Sequence, residues 1–119
     1  MKEYKEIQVA LLGLGTVGLG VYKVLQMQKE EMQHKIGTEI KIKKILVRNL
    51  EKAAGKIEDA SVLTDSWQEI VNDDEIQIVI EVMGGMEPAR TYIMEAMQAG
   101  KQVVTANKDL IAADGKELM

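Results

Sequence analysis

Apolar residues occur along this chain in two arrangements, short β-branched runs and longer stretches with helical spacing. The short runs predict five strands, at residues 7–12, 40–47, 61–64, 76–83 and 103–105. The fourth run is apolar almost without interruption, which is typical of a strand buried on both faces of a sheet. Glycines follow the first and the fourth run, so sharp turns are expected at the ends of two strands.

The segments between the strands favour helices. The spacing of five apolar residues predicts one buried face on a first helix, formed by Val17, Val21, Val24, Leu25 and Met32. Residues 49–60 are polar and predict a surface loop or a short helix. Asp65 or Ser66 can cap another short helix, because Ser66 and Glu69 have the spacing of a capping box. Pro88 indicates the first turn of a further helix, which Gly100 ends.

This alternation of strands and helices predicts an α/β fold. We expect a doubly wound parallel sheet with helices on both faces and strand order 3-2-1-4-5. The chain has 119 residues, which is enough for one domain and too short for two. Residues 1–119 are therefore expected to form a single domain, with a last helix beginning near residue 110.

Composition narrows the classes of function. The chain has 15 basic and 19 acidic residues and no Lys/Arg-rich run, which argues against nucleic acid or an anionic membrane surface as partner. No apolar stretch approaches the roughly 18 residues of a membrane span. Cysteine is absent, which excludes disulfides, thiolate metal sites and cysteine nucleophiles, and no metal site is expected. We therefore expect a cytoplasmic domain.

A glycine-rich motif directly follows the first predicted strand and begins the first helix: Gly13-Leu14-Gly15-Thr16-Val17-Gly18. In a G-x-G-x-x-G of this context, Gly13 makes the tight turn and Gly15 allows the backbone to approach a pyrophosphate. Gly18 allows the helix to pack closely on the strand, and the N–H groups of its first turn bind phosphate. All six residues are candidate cofactor-binding residues, and the motif predicts that the sheet is a Rossmann-type dinucleotide-binding domain. The alternative is a structural turn without a ligand.

The end of the second strand bears on the choice between NAD and NADP. An NAD-preferring site has an acidic residue at that position, whereas this strand ends in Leu46, Val47 and Arg48. An arginine there can pair with the 2′-phosphate of NADP, so NADP is the favoured cofactor and NAD the alternative. Arg48 has a second interpretation, as a solvated residue at the end of a strand. Lys52 and Lys56 are further candidate cations.

Four segments together resemble homoserine dehydrogenase: residues 13–18, 46–48, 81–89 and 100–108. The resemblance covers nearly the whole chain from Ile7 onward. It implies the reversible conversion of L-homoserine and NAD(P)⁺ to L-aspartate 4-semialdehyde and NAD(P)H, in threonine, methionine and isoleucine biosynthesis. Members of the family continue into a substrate and dimerisation domain. We therefore expect this chain to be the cofactor domain alone, inactive towards homoserine, from a parent that forms a homo-oligomer.

The resemblance also implies roles for residues at the carboxyl ends of the last two strands. Lys108 is the candidate catalytic residue, beside the nicotinamide and facing the substrate, and the alternative is a surface lysine. Thr105, Gly84 and Gly85 are candidate cofactor-binding residues, although the glycines are explained nearly as well by a plain turn. Glu81 is a carboxylate within an apolar strand, for which we expect a structural role.

Two other functions stay open. One is another NAD(P)-dependent reductase of small molecules, such as an aspartate-semialdehyde or dihydrodipicolinate reductase type, which the segment 105–108 argues against. The other is a nucleotide-sensing Rossmann module without catalysis.

Overall fold

The computed structural model describes residues 5–36, 38–85 and 87–105, and its five strands form one parallel sheet. The order across the sheet is β3-β2-β1-β4-β5, and every neighbouring pair is parallel. The strands are β1 (Lys5–Leu12), β2 (Thr38–Leu46), β3 (Leu63–Thr64), β4 (Ile76–Glu81) and β5 (Gln102–Thr105). This confirms the predicted doubly wound fold and its strand order.

Helices connect the strands and cover both faces of the sheet. They are α1 (Thr16–Ile36), α2 (Leu50–Ala54), α3 (Trp67–Val71) and α4 (Ala89–Gln98). Pro88 is the residue just before α4, close to its predicted place in the first turn. The helix expected from residue 110 lies outside the described residues. Within the described part of the chain, no helix combines the length and the hydropathy needed to cross a membrane.

The core is divided into two layers by the sheet. On one face, α3 and α4 contribute Trp67, Ile70 and Ala96 to a cluster with strand residues such as Leu12 and Val79. The Trp67 and Tyr92 rings stack at a centroid distance of 4.6 Å. On the other face, α1 and α2 cover a cluster whose buried members are Leu11, Leu14, Ile42, Ile45 and Ala53.

The buried face of α1 differs from the predicted one. Val17 and Val24 are 58% and 50% exposed, so placing them in the core was wrong, although Val21 and Leu25 do pack against it. The side chain of Met32 lies outside the described part. The rotation of the helix explains the difference. Gly18 lies against the sheet side of the turn, and residues three, four and seven positions further on therefore face inward: Val21, Tyr22 and Leu25.

Two local predictions in the middle of the chain were also wrong. The third strand is only two residues long, because Ala60–Val62 forms a 3-10 turn whose start is capped by the Asp59 carboxylate. Ser66 does precede α3, but its side chain makes no capping hydrogen bond, and the Glu69 N–H donates to the Ser66 backbone oxygen instead. The Ser66 N–H itself donates to the Thr64 hydroxyl at 3.1 Å, which keeps this residue close to the end of β3.

Strand β2 contains one residue more than the stretch of β1 with which it pairs. Val9 is paired with Ile42 and Ala10 with Lys44, which leaves Lys43 as an inserted residue. Ile42 and Ile45 consequently belong to the same core cluster although they are three positions apart. Regular alternation would place them on opposite faces.

The amino edge of the sheet carries charges that the protein itself pairs. The Lys43 ammonium lies 2.7 Å from an Asp73 oxygen and 2.6 Å from a Glu75 oxygen. The hydrogen bond from Lys43 lowers the pKa of Asp73 below its ordinary value, and the same bond raises the pKa of Lys43. Lys101, only 8% exposed, donates to the backbone oxygens of Asp73 and Ile76 at 2.7 and 2.8 Å. These cations hold the loop before β4 against the sheet.

Candidate cofactor-binding site

A groove of about 680 Å³ opens at the carboxyl edge of the sheet. It lies beside the ends of β1 and β4, where the connections of the sheet change direction, which is the place where open α/β sheets bind ligands. Fifteen residues line it: Gly13, Leu14, Gly15, Leu46, Val47, Arg48, Asn49, Lys52, Ala53, Lys56, Asp65, Val82, Met83, Pro88 and Tyr92.

Residues 13–18, which we call the glycine turn, contribute Gly13, Leu14 and Gly15 to one wall of the groove and bring α1 against the sheet. The Gly13 N–H donates to the Leu46 carbonyl at 2.9 Å, and Gly13 has a φ of 104°, a conformation that favours glycine. A Cβ on Gly18 would lie 2.4 Å from the Gly13 oxygen and 3.2 Å from a Val82 methyl carbon. The close packing expected of Gly18 is therefore present in the structure.

Gly15 faces open space. A Cβ placed on it would meet no protein atom within 4 Å, and α1 begins at the next residue, Thr16, with no acidic side chain in its first turn. The first N–H groups of a helix have no partner within the helix, and the helix dipole makes that end positive. The space above Gly15 thus combines room for a ligand with an attraction for anions, which fits the pyrophosphate of a dinucleotide.

The opposite wall carries three cations, Arg48, Lys52 and Lys56, and one carboxylate, Asp65. The Lys56 ammonium donates to the Leu14 carbonyl at 3.1 Å, so it reaches across the groove to the glycine turn. Asn49 fixes the start of α2, because its side-chain oxygen accepts the Lys52 N–H at 3.0 Å. The groove therefore has a positive lining, which suits a ligand with several phosphates.

The structure brings only some of the predicted site residues into the groove wall. Gly13, Leu14, Gly15 and Arg48 line it, whereas the other three residues of the glycine turn form the adjoining first turn of α1. Lys108 lies outside the described residues.

The ends of β4 and β5 lie at the same edge of the sheet, next to the groove. Gly84 and Gly85 are exposed and have φ values of 79° and 75°. Thr105 is half-buried, and its hydroxyl donates to the Glu81 carboxylate at 2.5 Å. The structural role expected for Glu81 accords with its complete burial.

Nine of the fifteen lining residues were not predicted as site residues. Four of them, Val82, Met83, Pro88 and Tyr92, line the wall nearest to β4, and this wall is mostly apolar. Val82 and Met83 were predicted to be the last residues of the fourth strand, which ends at Glu81 in the structure, and Pro88 was predicted to begin the helix after it. Their apolar character directed attention to the core instead.

A family model described as "Homoserine dehydrogenase, NAD binding domain" matches residues 13–119. The chain belongs to this family. It is 44% identical over 115 residues to homoserine dehydrogenase of Bacillus subtilis (strain 168) and 45% identical over 115 residues to that of Lactococcus lactis subsp. lactis (strain IL1403). These alignments cover 97% and 94% of this chain and 27% of each relative. The chain thus spans about a quarter of the length of these homoserine dehydrogenases.

Solved structures agree with this assignment. A crystal structure of S. aureus homoserine dehydrogenase at pH 6.0 superposes with a TM-score of 0.88 at 44% identity, over 96% of this chain and 30% of that one. The homoserine dehydrogenase of Thiobacillus denitrificans gives a TM-score of 0.85 at 47% identity, over 96% of this chain and 26% of that one. The resemblance found in the sequence is confirmed, and the chain is a dinucleotide-binding domain of the homoserine dehydrogenase family.

Proposed function

We propose that this domain binds NADPH in preference to NADH and serves the homoserine dehydrogenase reaction of a parent enzyme. The observation that carries the cofactor preference is the groove wall formed by Arg48, Lys52 and Lys56. No acidic residue lies between the end of β2 and Glu51 in the sequence, so the carboxylate that binds the ribose 2′-hydroxyl in an NAD site is missing from this position. Arg48 is exposed and free to meet a phosphate.

In this proposal the glycine turn binds the pyrophosphate. The open space above Gly15 and the first N–H groups of α1 support that part. Arg48 binds the 2′-phosphate, and the two lysines add charge on the same wall. The nicotinamide half extends towards the ends of β4 and β5, where Gly84, Gly85 and Thr105 offer backbone groups.

The reaction itself transfers a hydride between the nicotinamide and a carbon of homoserine or aspartate semialdehyde. Lys108 follows the carboxyl end of β5, and its ammonium is the group we assign to the substrate oxygen, where it stabilises or protonates the developing alkoxide. We further propose that the parent enzyme is a cytoplasmic homo-oligomer. Replacing Lys108 with alanine in that enzyme should lower kcat strongly and leave the affinity for NADPH within about threefold.

The first test concerns the glycine turn. Gly15→Val places a side chain in the open space above the turn, so NADPH binding measured by calorimetry should weaken by at least tenfold. Gly20→Val is the matched control, because Gly20 also has open space around it but lies one helical turn further along α1. Equal NADPH affinity in wild type and Gly15→Val contradicts the assignment of the pyrophosphate site.

The second test concerns the cofactor preference. Arg48→Asp should weaken NADPH binding about ten- to a hundredfold, since a hydrogen bond to a charged group contributes roughly 1.5–3 kcal/mol, and it should leave NADH binding unchanged or improved. Lys23→Asp makes the same change of charge at an exposed position on α1 and should alter neither affinity by more than about twofold. An unchanged ratio of NADPH to NADH affinity in Arg48→Asp rules out the role of Arg48.

A further inference from the structure

Glu81 is the one acidic residue among the described ones that is completely buried, with 0% exposure. Cofactor binding as proposed above does not use it. A carboxylate removed from water costs several kcal/mol unless hydrogen bonds compensate, so its two hydrogen-bond partners are the best guide to its role.

Both partners lie at the carboxyl edge of the sheet. The Met83 N–H donates to one Glu81 oxygen at 2.7 Å, and the Thr105 hydroxyl donates to the other at 2.5 Å. Met83 is the residue before Gly84 and lines the groove. Thr105 is the last residue of β5. One carboxylate therefore binds the loop after β4 with one oxygen and the end of β5 with the other.

The two hydrogen bonds of the Glu81 carboxylate form a bridge that lies where it can affect the shape of the groove. Glu81 and Thr105 form the last pair of the β4–β5 ladder, and β5 has only four residues, so little backbone pairing holds its end. Gly84 and Gly85 follow Met83 directly, and glycines leave a loop many alternative conformations. The Met83 N–H bond to Glu81 holds the backbone at the residue from which that loop departs.

We propose that Glu81 is a positioning residue that sets the separation between the loop after β4 and the end of β5, and so shapes the nicotinamide half of the groove. This inference rests on the proposed cofactor function. Glu81 touches neither cofactor nor substrate in this proposal. It acts through Met83 on one side and Thr105 on the other, whereas the adenosine half of the groove, near Arg48, is independent of it.

The experiment compares two probes on the folded 119-residue chain by calorimetry. NADPH needs the whole groove, whereas 2′,5′-ADP carries only the adenosine half with its 2′-phosphate. Thr105→Val removes the hydroxyl at nearly constant volume, and Thr105→Ser retains it. Glu81→Gln keeps the shape but turns one acceptor oxygen into a donor. We expect Thr105→Val and Glu81→Gln to bind NADPH about tenfold more weakly and 2′,5′-ADP within twofold of wild type, with Thr105→Ser close to wild type for both.

The other outcomes overturn the inference in distinct ways. Equal weakening of both probes indicates a general loss of structure, and no weakening of either shows that the bridge does not affect the groove. A Thr105→Ser variant as weak as Thr105→Val shows that the hydroxyl is not the relevant group. If Glu81→Gln does not fold, the two Thr105 variants decide. Failure of the wild type to bind either probe overturns the proposed function itself.

Discussion

The two edges of the sheet treat positive charge differently. At the amino edge, Lys43 is paired with two carboxylates and Lys101 is buried against two backbone carbonyls. At the carboxyl edge, three cations line a groove that contains one carboxylate. Lys56 is hydrogen-bonded there only to a neutral carbonyl among the contacts of the described residues. The amino edge also has a cavity, of about 470 Å³, but its lysine, Lys101, already has its partners.

This difference separates cations whose partners lie within the protein from cations that line an open groove. Replacing a lysine whose buried ammonium has two acceptors lowers the stability of the protein, because the acceptors are left unpaired. Replacing a lysine at an open groove changes the stability of the protein little, because water replaces the contacts of its ammonium. The replacement does remove a charge that attracts anions. The location of a lysine relative to the two edges therefore predicts which measurement its replacement changes.

The largest effect is expected at the contact between Gly18 and Gly13, which brings α1 close to the carboxyl edge of the sheet. Gly18→Ala introduces a Cβ 2.4 Å from the backbone oxygen of Gly13, so α1 must move away from the sheet. We expect a loss of about 3 kcal/mol of stability, or about 10 °C in Tm. Gly20→Ala on the same helix meets no atom within 4 Å and should be neutral or stabilising by up to about 1 kcal/mol. Equal melting temperatures for the two variants contradict the close contact.

Two lysine variants, one at each edge, test the comparison between the two edges of the sheet. Lys101→Met should cost about 2 kcal/mol of stability and leave NADPH affinity within twofold of wild type. Lys56→Met should keep Tm within about 2 °C of wild type and weaken NADPH binding about threefold to tenfold, with an effect that shrinks as salt rises. Thermal melts give the stability of each variant, and calorimetry gives its affinity for NADPH. Weakened NADPH binding in Lys101→Met would remove the distinction between the edges.

The smallest effect concerns the pH dependence at the amino edge. Because the hydrogen bond from Lys43 lowers the pKa of Asp73 below its ordinary value of 3.8, the folded protein gains stability from this group above that pH and loses it as pH falls through the lower folded pKa. Asp73→Asn should therefore lose less stability than wild type on acidification from pH 5 to pH 2. The pair is partly exposed, with 27% of the Lys43 and 20% of the Asp73 side chain accessible, so the difference should stay below about 1 kcal/mol. Asp74→Asn, at the exposed neighbour, is the control in acid melts.

Much of the fold and the groove follows from local sequence signals. The glycine turn directly after a β-branched run was enough to predict the tight turn and the close approach of α1. The absence of an acidic residue at the end of β2 directed attention to Arg48, which does line the groove. These predictions succeeded because each depends on residues adjacent in sequence.

The features that could not be predicted depend on contacts between distant segments. The rotation of α1 follows from the Gly18–Gly13 contact, and periodicity alone could not place Val17 and Val24 on the outside. The bridge from Glu81 to Thr105 requires the register of β4 against β5. The local sequence around Met83 and Tyr92 predicts packing in the core, and only the folded chain brings these two residues to the groove.

The inserted residue of β2 marks the place where that strand can change its length without moving the groove. Side chains and carbonyls both reverse direction at each step along a strand. Without Lys43, Ile42 and Ile45 would be two positions apart and would still face the same core layer, and Leu46 would keep its pairing with β1. The Leu46 carbonyl would therefore still accept the Gly13 N–H, and the deletion would cost mainly the partly exposed ion pairs of the lysine. Among related sequences, this strand should therefore occur with and without the inserted residue, and other changes of its length should be rare.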